Sequence, residues 1–412
     1  MRFTINSKAI KKDLGEMKKI TMGKTHLVTS NFKIEAEGDF VYFTATDLTT
    51  TICAKFPAIV VEEGSLLVNA KRFCEMLTSE KIEVWTDKSH IHVNHFSMRY
   101  YDGAWELESF PTGIMQGYCQ AKRESLAKMM RHAIQFTAKN DRQIQSAIAG
   151  VYLKAERGIL TIAATDTKSI SETKCKLIVS EIKDTDASGH DVEWIEAILP
   201  SQACAFLSTR TLGDYYHVSF SKSRVGNRYM EFVSSDSAIR VTCSLLEGRY
   251  PFYLKALDKE PEQFMIIPTL EFKNVIKEAL VFCDDDDCLM RLTFTGRNLK
   301  IESLISESGS ASLEINNIGY QGEKWSCAIN AKLLLRVLGL ISTSYVKFGS
   351  RSNLEPIRML NHELSNCVDI RFVVMPMRIS NARDEISEAD KIILAAKQAK
   401  EVSNGQDDQE TA

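Results

Sequence analysis

One building plan occurs three times along this 412-residue chain at a nearly constant spacing. An amphipathic, helix-like run begins near Ser7, again at Arg123 and again at Thr269. Each run is followed by a short apolar segment that turns into a second helical run. The turn residues, about 130 positions apart, are Asn69, Pro200 and Asn330. A fixed, long period indicates one structural unit used repeatedly, so the sequence predicts three copies of one domain.

The copies are expected at 1–118, 119–254 and 255–380, followed by a C-terminal extension at 381–412. Within each copy, alternating apolar and polar residues after the first helix predict a hairpin and then a further strand. The hairpin turns are expected at Gly38–Asp39, Arg157–Gly158 and Gly296–Arg297. Two helices with antiparallel strands in each copy correspond to the α+β class.

The composition argues against a membrane-spanning chain, a disulfide-linked protein and a protein that binds nucleic acid through its overall charge. The hydrophobic fraction of 44% and charged fraction of 25% are ordinary for globular domains. A net charge of −3 means that any binding to nucleic acid must come from a local basic patch. Ten scattered cysteines without a C-x-x-C pair, and no apolar leader or span, predict reduced thiols in a cytoplasmic protein.

Basic residues recur on the helical runs, opposite their apolar faces. A single stripe of this kind is typical of a plain solvated helix face. Its recurrence on equivalent helices favours contact with a phosphate backbone, which needs long cations and carries no sequence information. The cations are Lys8, Lys12 and Lys19 in the first copy, Lys128, Arg131 and Lys139 in the second, and Lys273, Lys277, Lys332 and Arg336 in the third.

Two clusters resemble metal sites but have simpler interpretations. Cys283 and Cys288 flank Asp284–Asp287, yet thiolates and carboxylates prefer different metals, so an acidic loop is expected. His90 and His92 would share one face of a strand and could ligate zinc, although an exposed strand is the simpler interpretation. No complete P-loop, nucleophile elbow or Ser-His-Asp pattern occurs, and nothing argues for an enzyme, a metal or a cofactor.

The closing strands carry a family resemblance. The chain resembles the bacterial DNA polymerase III beta subunit, the sliding clamp, in VVMPMRI (from Val373), LEGRYPFY (from Leu246), AATDTKSI (from Ala163) and the start MRFTINSKAI. The resemblance runs from Met1 to about Ile379. It implies three tandem DNA-clamp domains, each with two helices packed on antiparallel sheets, and two chains joined head to tail in a ring. The helices would line the hole and hold duplex DNA without reading its sequence.

The resemblance also implies a non-catalytic processivity factor. Its partners would be duplex DNA, a second copy of the chain, the polymerase III alpha subunit, the clamp loader and other proteins with clamp-binding motifs, but no membrane. A hydrophobic pocket between the second and third domains would accept these short motifs, and adaptable Met and Val side chains suit it. Without the family, VVMPMR is a buried closing strand, and both interpretations can hold. The pocket residues carried over are Ile148, Thr165, Thr167, Lys168, Ser169, Ile170, Pro251, Lys255, Ala256, Val373, Val374, Met375, Pro376, Met377 and Arg378.

Further positions follow from the resemblance. Lys24 and Arg142 are expected near DNA. The ring interface would join the end of the third copy's first helix to an edge strand of the second chain. Its residues are Arg99, Tyr100, Val281 and Phe282. The acidic run Asp284–Asp287 is expected to face basic residues such as Arg99 or Lys71 across that interface.

The chain departs from the family at the pocket rim and at its end. The family's Gly-His-Arg after Thr-Asp is Thr167-Lys168-Ser169 here, and Phe252 replaces an acidic residue, so partner preference is expected to differ. In the extension, a capping box at Ser387 and apolar Ile392 and Ile393 predict a short helix before a disordered end. This helix is expected to be peripheral; alternatively, it folds back and competes for the pocket.

Two alternative functions stay open. One is a divergent accessory clamp that serves a specialised or mobile-element polymerase. The other, from a different class, is a metal-dependent nucleic-acid enzyme that uses Asp284–Asp287.

Overall fold

The computed structural model describes residues 1–21, 27–101, 114–138, 146–182, 184–185, 191–209, 214–223, 228–257, 261, 264–283, 288–303, 309–320, 324–361 and 369–377. These residues form two compact units. The first contains Met1–Tyr253 and also Asp369 and Ile370. The second begins at Leu254 and resumes at Arg371.

Within the described residues, the first repeat of the building plan contains three helices and nine strands. The helices are α1 (Ser7–Met17), α2 (Leu27–Ser30) and α3 (Ala70–Met76). The strands are β1 (Arg2–Asn6), β2 (Asn31–Glu37), β3 (Phe40–Thr46), β4 (Thr50–Pro57), β5 (Ile59–Glu62), β6 (Gly64–Asn69), β7 (Lys81–Thr86), β8 (His90–Val93) and β9 (Phe96–Arg99).

The second repeat has the same order of strand, helix, hairpin, further strands, second helix and closing strands. Its helices are α4 (Arg123–Ala133) and α5 (Ser201–Ser208). Its strands are β10 (Ile114–Lys122), β11 (Val151–Glu156), β12 (Ile159–Thr165), β13 (Ser169–Lys176), β14 (Val179–Ile182), β15 (Asp184–Thr185), β16 (Asp191–Val192), β17 (Trp194–Leu199), β18 (Tyr215–Lys222), β19 (Arg228–Ser234) and β20 (Ile239–Ser244). Short 3-10 turns occur at Ile134–Phe136 and Ser146–Ala149.

The third repeat follows a 3-10 turn at Tyr253–Ala256. Its helices are α6 (Thr269–Leu280) and α7 (Ala331–Leu340). Its strands are β21 (Met265–Pro268), β22 (Leu289–Thr295), β23 (Asn298–Ser303), β24 (Ser312–Ile315), β25 (Trp325–Asn330), β26 (Tyr345–Gly349), β27 (Ile357–Asn361) and β28 (Asp369–Val374). The recurring element order is therefore observed. The exact domain limits stay a prediction, and Tyr118, the expected end of the first copy, lies inside β10.

The hairpins form where the sequence predicts them. β2 pairs with β3, β11 with β12, and β22 with β23, all antiparallel. At the middle hairpin, both turn residues have positive φ, 49° at Arg157 and 73° at Gly158. Turns of that hand match the twist of the flanking strands.

The strands form antiparallel sheets within each unit. In the first unit the strand orders are β5-β1-β7-β8-β9, β14-β10-β18-β19-β20-β4-β3-β2-β6 and β17-β11-β12-β13. In the second unit they are β24-β23-β22-β25 and β28-β27-β26-β21. The nine-stranded sheet joins the first two repeats, because β4 of the first pairs with β20 of the second.

Two helices pack together on the sheets in each repeat. The pairs are α1 with α3, α4 with α5, and α6 with α7. In α1, Ile10, Leu14 and Met17 are fully buried, and this i, i+4, i+7 spacing places them on one face. The predicted α+β class, with helices on antiparallel sheets, is confirmed.

Aromatic residues fill the cores of the outer repeats. The Phe43 ring lies 6.4 Å from Phe32 and 5.6 Å from Phe73. In the second unit, the Phe348 ring lies 5.6 Å from Phe294 and 6.0 Å from Phe272. Such pairs contribute about 0.5–1.5 kcal/mol each beyond their buried area.

Candidate nucleic-acid and partner-binding sites

The cations predicted for the first copy lie on α1 and just after it. Lys8, Lys12 and Lys19 are exposed. Lys8 Nζ lies 3.0 Å from a carboxylate oxygen of Glu80, and Lys19 Nζ lies 2.7 Å from one of Glu16. Exposed ion pairs of this kind contribute only about 0–1 kcal/mol, so a polyanion can displace these carboxylates at little cost.

Helices α4, α6 and α7 each carry one exposed predicted cation. Arg131 on α4 is exposed, and its guanidinium donates to the Ser208 carbonyl at 3.1 Å. Lys277 and Lys332 are exposed on α6 and α7. Three more predicted contacts are partly buried, namely Lys128, Lys273 and Arg336. Lys24, Lys139 and Arg142 lie outside the described residues.

The stripe predicted on the second copy's first helix is too long. α4 ends at Ala133 and continues as a 3-10 turn only to Phe136. Thr137 adopts extended angles and its hydroxyl donates to the Ile134 carbonyl at 3.1 Å. Residues 134–138 therefore do not continue the 3.6-residue repeat that the stripe requires.

A loop organised by one aspartate contains four of the predicted pocket residues in the first unit. Asp166 Oδ1 accepts from the Lys168 and Ser169 backbone amides at 3.1 and 2.7 Å and from the Ser169 hydroxyl at 2.8 Å. The Thr165 hydroxyl donates to the Ser169 carbonyl at 2.9 Å. Thr167, at φ 71°, and Lys168 are exposed at the tip, while Ser169 is fully buried.

The first repeat contains the same loop at Thr46–Thr50. Asp47 Oδ1 accepts from the Thr49 and Thr50 amides at 2.9 and 2.7 Å. Leu48, at φ 74°, occupies the position of Thr167. The Thr-Asp pair is therefore a loop-forming element in two repeats, and by itself it does not mark a binding site.

Sequence reasoning missed a cluster of three half-buried tyrosines and a buried glutamate beside this loop. The rings of Tyr152 and Tyr250 are 5.2 Å apart, and Tyr253 lies edge-on to Tyr152 at 5.9 Å. The Tyr253 hydroxyl donates to Glu172 Oε2 at 3.0 Å. Glu172 is only 1% exposed, although glutamate is rarely buried unless it is paired. The polar-looking stretch SETK gave no signal that its carboxylate is buried.

The remaining pocket residues are mixed in exposure. Ile148 and Ile170 are buried, and Pro251 is partly exposed. In the second unit, Val373 and Val374 are fully buried on β28, where Val374 pairs with Ile357. Met375 and Lys255 are exposed, and Ala256, Pro376 and Met377 are partly exposed. Arg378 lies outside the described residues. The buried-strand interpretation holds for the two valines; the pocket role of the whole set stays a prediction.

The predicted interface residues are accessible within this chain. Val281 is 75% exposed and Phe282 38% exposed, directly after α6. Arg99 is exposed at the end of β9. The Tyr100 hydroxyl donates to the Asp87 carbonyl at 3.1 Å. Asp284–Asp287 lie outside the described residues.

The histidines of β8 take part in ordinary polar and aromatic contacts. His92 stacks on Trp85 with ring centroids 3.7 Å apart, and its Nε2 lies 2.9 Å from Asp87 Oδ2. The Ser89 amide, His92 and the His90 amide hold the pKa of Asp87 below its usual range. In the described parts of the chain, no group of three His, Cys, Asp or Glu side chains could hold a metal ion. None of the nine cysteines described forms a disulfide.

Helices that could cross a membrane are absent from the described ranges.

The fold is that of DNA sliding clamps. It matches the solved structure of a Pseudomonas aeruginosa sliding clamp bound to griselimycin with a TM-score of 0.77 at 19% identity, covering 92% of this chain and 100% of that one. In sequence, the chain is 22% identical to the beta sliding clamp of Chlamydia pneumoniae over 388 residues, covering 92% of this chain and 99% of the relative. It is 24% identical to that of Pseudomonas aeruginosa over 394 residues, covering 92% and 100%.

Two family models match the ends of the chain. The model of the DNA polymerase III beta subunit N-terminal domain matches residues 1–112, and that of the C-terminal domain matches residues 255–378. The chain belongs to the DNA polymerase III beta subunit family, as its closing strands predicted.

Proposed function

We propose that this chain is a DNA sliding clamp, a processivity factor that keeps a replicative polymerase on duplex DNA. Family membership carries the proposal, because models for both ends of the beta subunit match in order. This family is non-catalytic, so the chain needs no active site, metal or cofactor. Neither alternative, an accessory clamp or a metal-dependent enzyme, is favoured. A replication role also supports the cytoplasmic location.

A head-to-tail dimeric ring is the proposed assembly. Inside the first unit, β4 of one repeat pairs with β20, the last strand of the next repeat. Several described strands have a neighbour on one side only, and they include β9, the last strand of the first repeat, and β24, the strand after the third hairpin. Unpaired edges readily accept another strand. Pairing β9 of one chain with β24 of another would repeat the internal junction.

The proposed function also requires contacts with DNA and with partner proteins. The exposed cations of the helices, with Lys24, Lys139 and Arg142, would contact phosphates without reading sequence. Polymerase III alpha subunit, clamp loader and other motif-bearing proteins would bind at the predicted pocket residues. The relative bound to griselimycin shows that a clamp of this fold accepts a ligand. The changed residues Thr167-Lys168-Ser169 and Phe252 would shift partner preference.

Retention on DNA tests the ring directly. The protein is loaded onto nicked circular DNA with a clamp loader, and bound protein is measured by gel filtration at high salt. A ring is expected to stay on circular DNA, because salt weakens phosphate contacts but does not open a topological link. Cutting the circle with a restriction enzyme should release it. Equal salt-sensitive loss from circular and linear DNA would refute the clamp.

A further inference from the structure

The segment Tyr250–Tyr253, here named the tyrosine clip, is fixed to the sheet of the second repeat at both ends. At one end, the Thr165 amide donates to the Tyr250 hydroxyl at 3.0 Å. At the other, the Tyr253 hydroxyl donates to Glu172 at 3.0 Å. Both sheet residues, the donor Thr165 and the acceptor Glu172, belong to the same sheet, because Thr165 ends β12 and Glu172 lies on the adjacent β13.

The tyrosine clip packs against side chains on one face of this sheet. Tyr152, Ala163 and Glu172 lie in one cross-strand row on β11, β12 and β13. The small Ala163 stands between the two larger side chains, and the Tyr250 and Tyr253 rings both lie against Tyr152. Geometry of this kind, with edge-on rings 5.9 and 6.3 Å apart, is favourable for aromatic side chains.

The Glu172 carboxylate is buried, so the loss of its hydrogen bond from Tyr253 would be costly. Glu172 Oε1 has no well-aligned hydrogen-bond partner, but Lys174 Nζ lies 3.1 Å from it as an ion pair. Burial, and then Glu172, raise the pKa of Tyr253 above its usual range, so the hydroxyl stays protonated and donates. If the Tyr253 hydroxyl is removed, the buried Oε2 atom is left without a hydrogen-bond donor, which costs more than an ordinary hydrogen bond contributes.

The residues held between the two fixed ends are those of the predicted pocket rim. Pro251 is a predicted pocket residue, and its carbonyl accepts from the Tyr253 amide at 2.7 Å. Phe252 is 72% exposed between two anchored tyrosines. The chain thus presents a large apolar side chain to solvent on a backbone that is fixed on either side.

We propose that Glu172, through Tyr253, is a positioning residue for partner binding, which holds Pro251 and Phe252 in place for an apolar anchor of a bound peptide. The proposal rests on the proposed clamp function. Preorganising a binding segment raises affinity by lowering the entropy lost on binding. Glu172 itself touches no partner, because its side chain is buried beneath the clip.

Peptide binding to the full chain tests this assignment. The probe is a fluorescent heptapeptide with leucine and phenylalanine anchors, and anisotropy gives its Kd. Tyr253→Phe removes the hydroxyl and keeps the ring, and a loss of about five- to tenfold in affinity is expected. Glu172→Gln keeps an acceptor and should cost less. The double variant should bind no more weakly than Tyr253→Phe, since the two groups act through one contact.

The matched control is Tyr118→Phe, which removes another cross-strand hydroxyl contact of the first unit, that of Tyr118 with His217. Its peptide affinity should match that of the unchanged chain. An equal loss in the control, or no loss in Tyr253→Phe, would overturn the positioning role.

A second measurement separates this proposal from the clamp function. Hydrogen exchange of the segment 249–255 should speed up in Tyr253→Phe, whether or not the peptide binds. Unchanged exchange there would refute the clip. Failure of the unchanged chain to bind the peptide, with the exchange difference present, would instead count against the proposed pocket and leave Glu172 without the partner-binding role assigned to it.

Discussion

Among single residues, Asp166 and Asp47 have the same role, because each stabilises the loop in which it lies. Each carboxylate accepts amide hydrogens from its own five-residue loop. Replacing either by alanine leaves those amides without their acceptor, and each variant is expected to lose about 1–3 kcal/mol of stability. Only Asp166→Ala should also weaken binding of a leucine- and phenylalanine-anchored peptide, because its loop contains the predicted pocket residues Thr165, Thr167, Lys168 and Ser169. Urea denaturation and fluorescence anisotropy measure the two effects, and equal weakening by Asp47→Ala would contradict the pocket assignment.

The residue scale is also where sequence reasoning is least complete. The Thr-Asp pair was visible in the sequence, but its loop-forming role needed the second example at Thr46. The contact between Tyr253 and Glu172 joins residues 81 positions apart. Local pattern cannot reveal such a pair, because a glutamate followed by Thr-Lys on a strand normally faces solvent.

At the scale of elements, side-chain caps fix where two of the second helices begin. Asn69 accepts from the Arg72 amide at the start of α3, and Asn330 from the Leu333 amide at the start of α7, each at 3.0 Å. Asn69→Ala and Asn330→Ala are each expected to lower the free energy of unfolding by about 1 kcal/mol. The control is Asn274→Ala, an exposed position within α6, where alanine favours the helix. Urea denaturation that showed the same loss at Asn274 would rule out capping as the cause.

Element positions were largely predictable, and the exception has a local cause. The two helices that pack together in each repeat, and its hairpin, begin where apolar spacing and turn residues place them; the short α2 of the first repeat was not predicted. The sequence predicts that the first helix of the second copy extends to Lys139, whereas α4 ends at Ala133. Continuous apolar spacing does not distinguish an α-helix from a final 3-10 turn. Side-chain contacts to the backbone, such as that of Thr137 with Ile134, decide this.

For the assembly as a whole, the proposed ring depends on Val281 and Phe282, the two exposed apolar residues that directly follow α6. Val281→Glu introduces a charge that would have to be buried at the proposed interface, and burying an unpaired charge is strongly unfavourable. The variant is expected to sediment as a monomer at concentrations where the unchanged chain sediments as a dimer. Leu270→Glu is the matched control, since Leu270 is 71% exposed in the first turn of α6 but outside the predicted interface. Dissociation by both variants, or by neither, would contradict the assignment.

The nine-stranded sheet has a consequence for how the chain is made in the cell. β4 is complete at Pro57, but its neighbour β20 begins only at Ile239. At translation rates of ~5–20 residues per second, roughly 10–40 s pass while the ribosome adds the roughly 180 residues between them. Throughout that time, the edge of β4 lacks its native partner on the nascent chain. Ribosome-bound chains that stop short of β20 are therefore expected to recruit a chaperone or to associate through this strand.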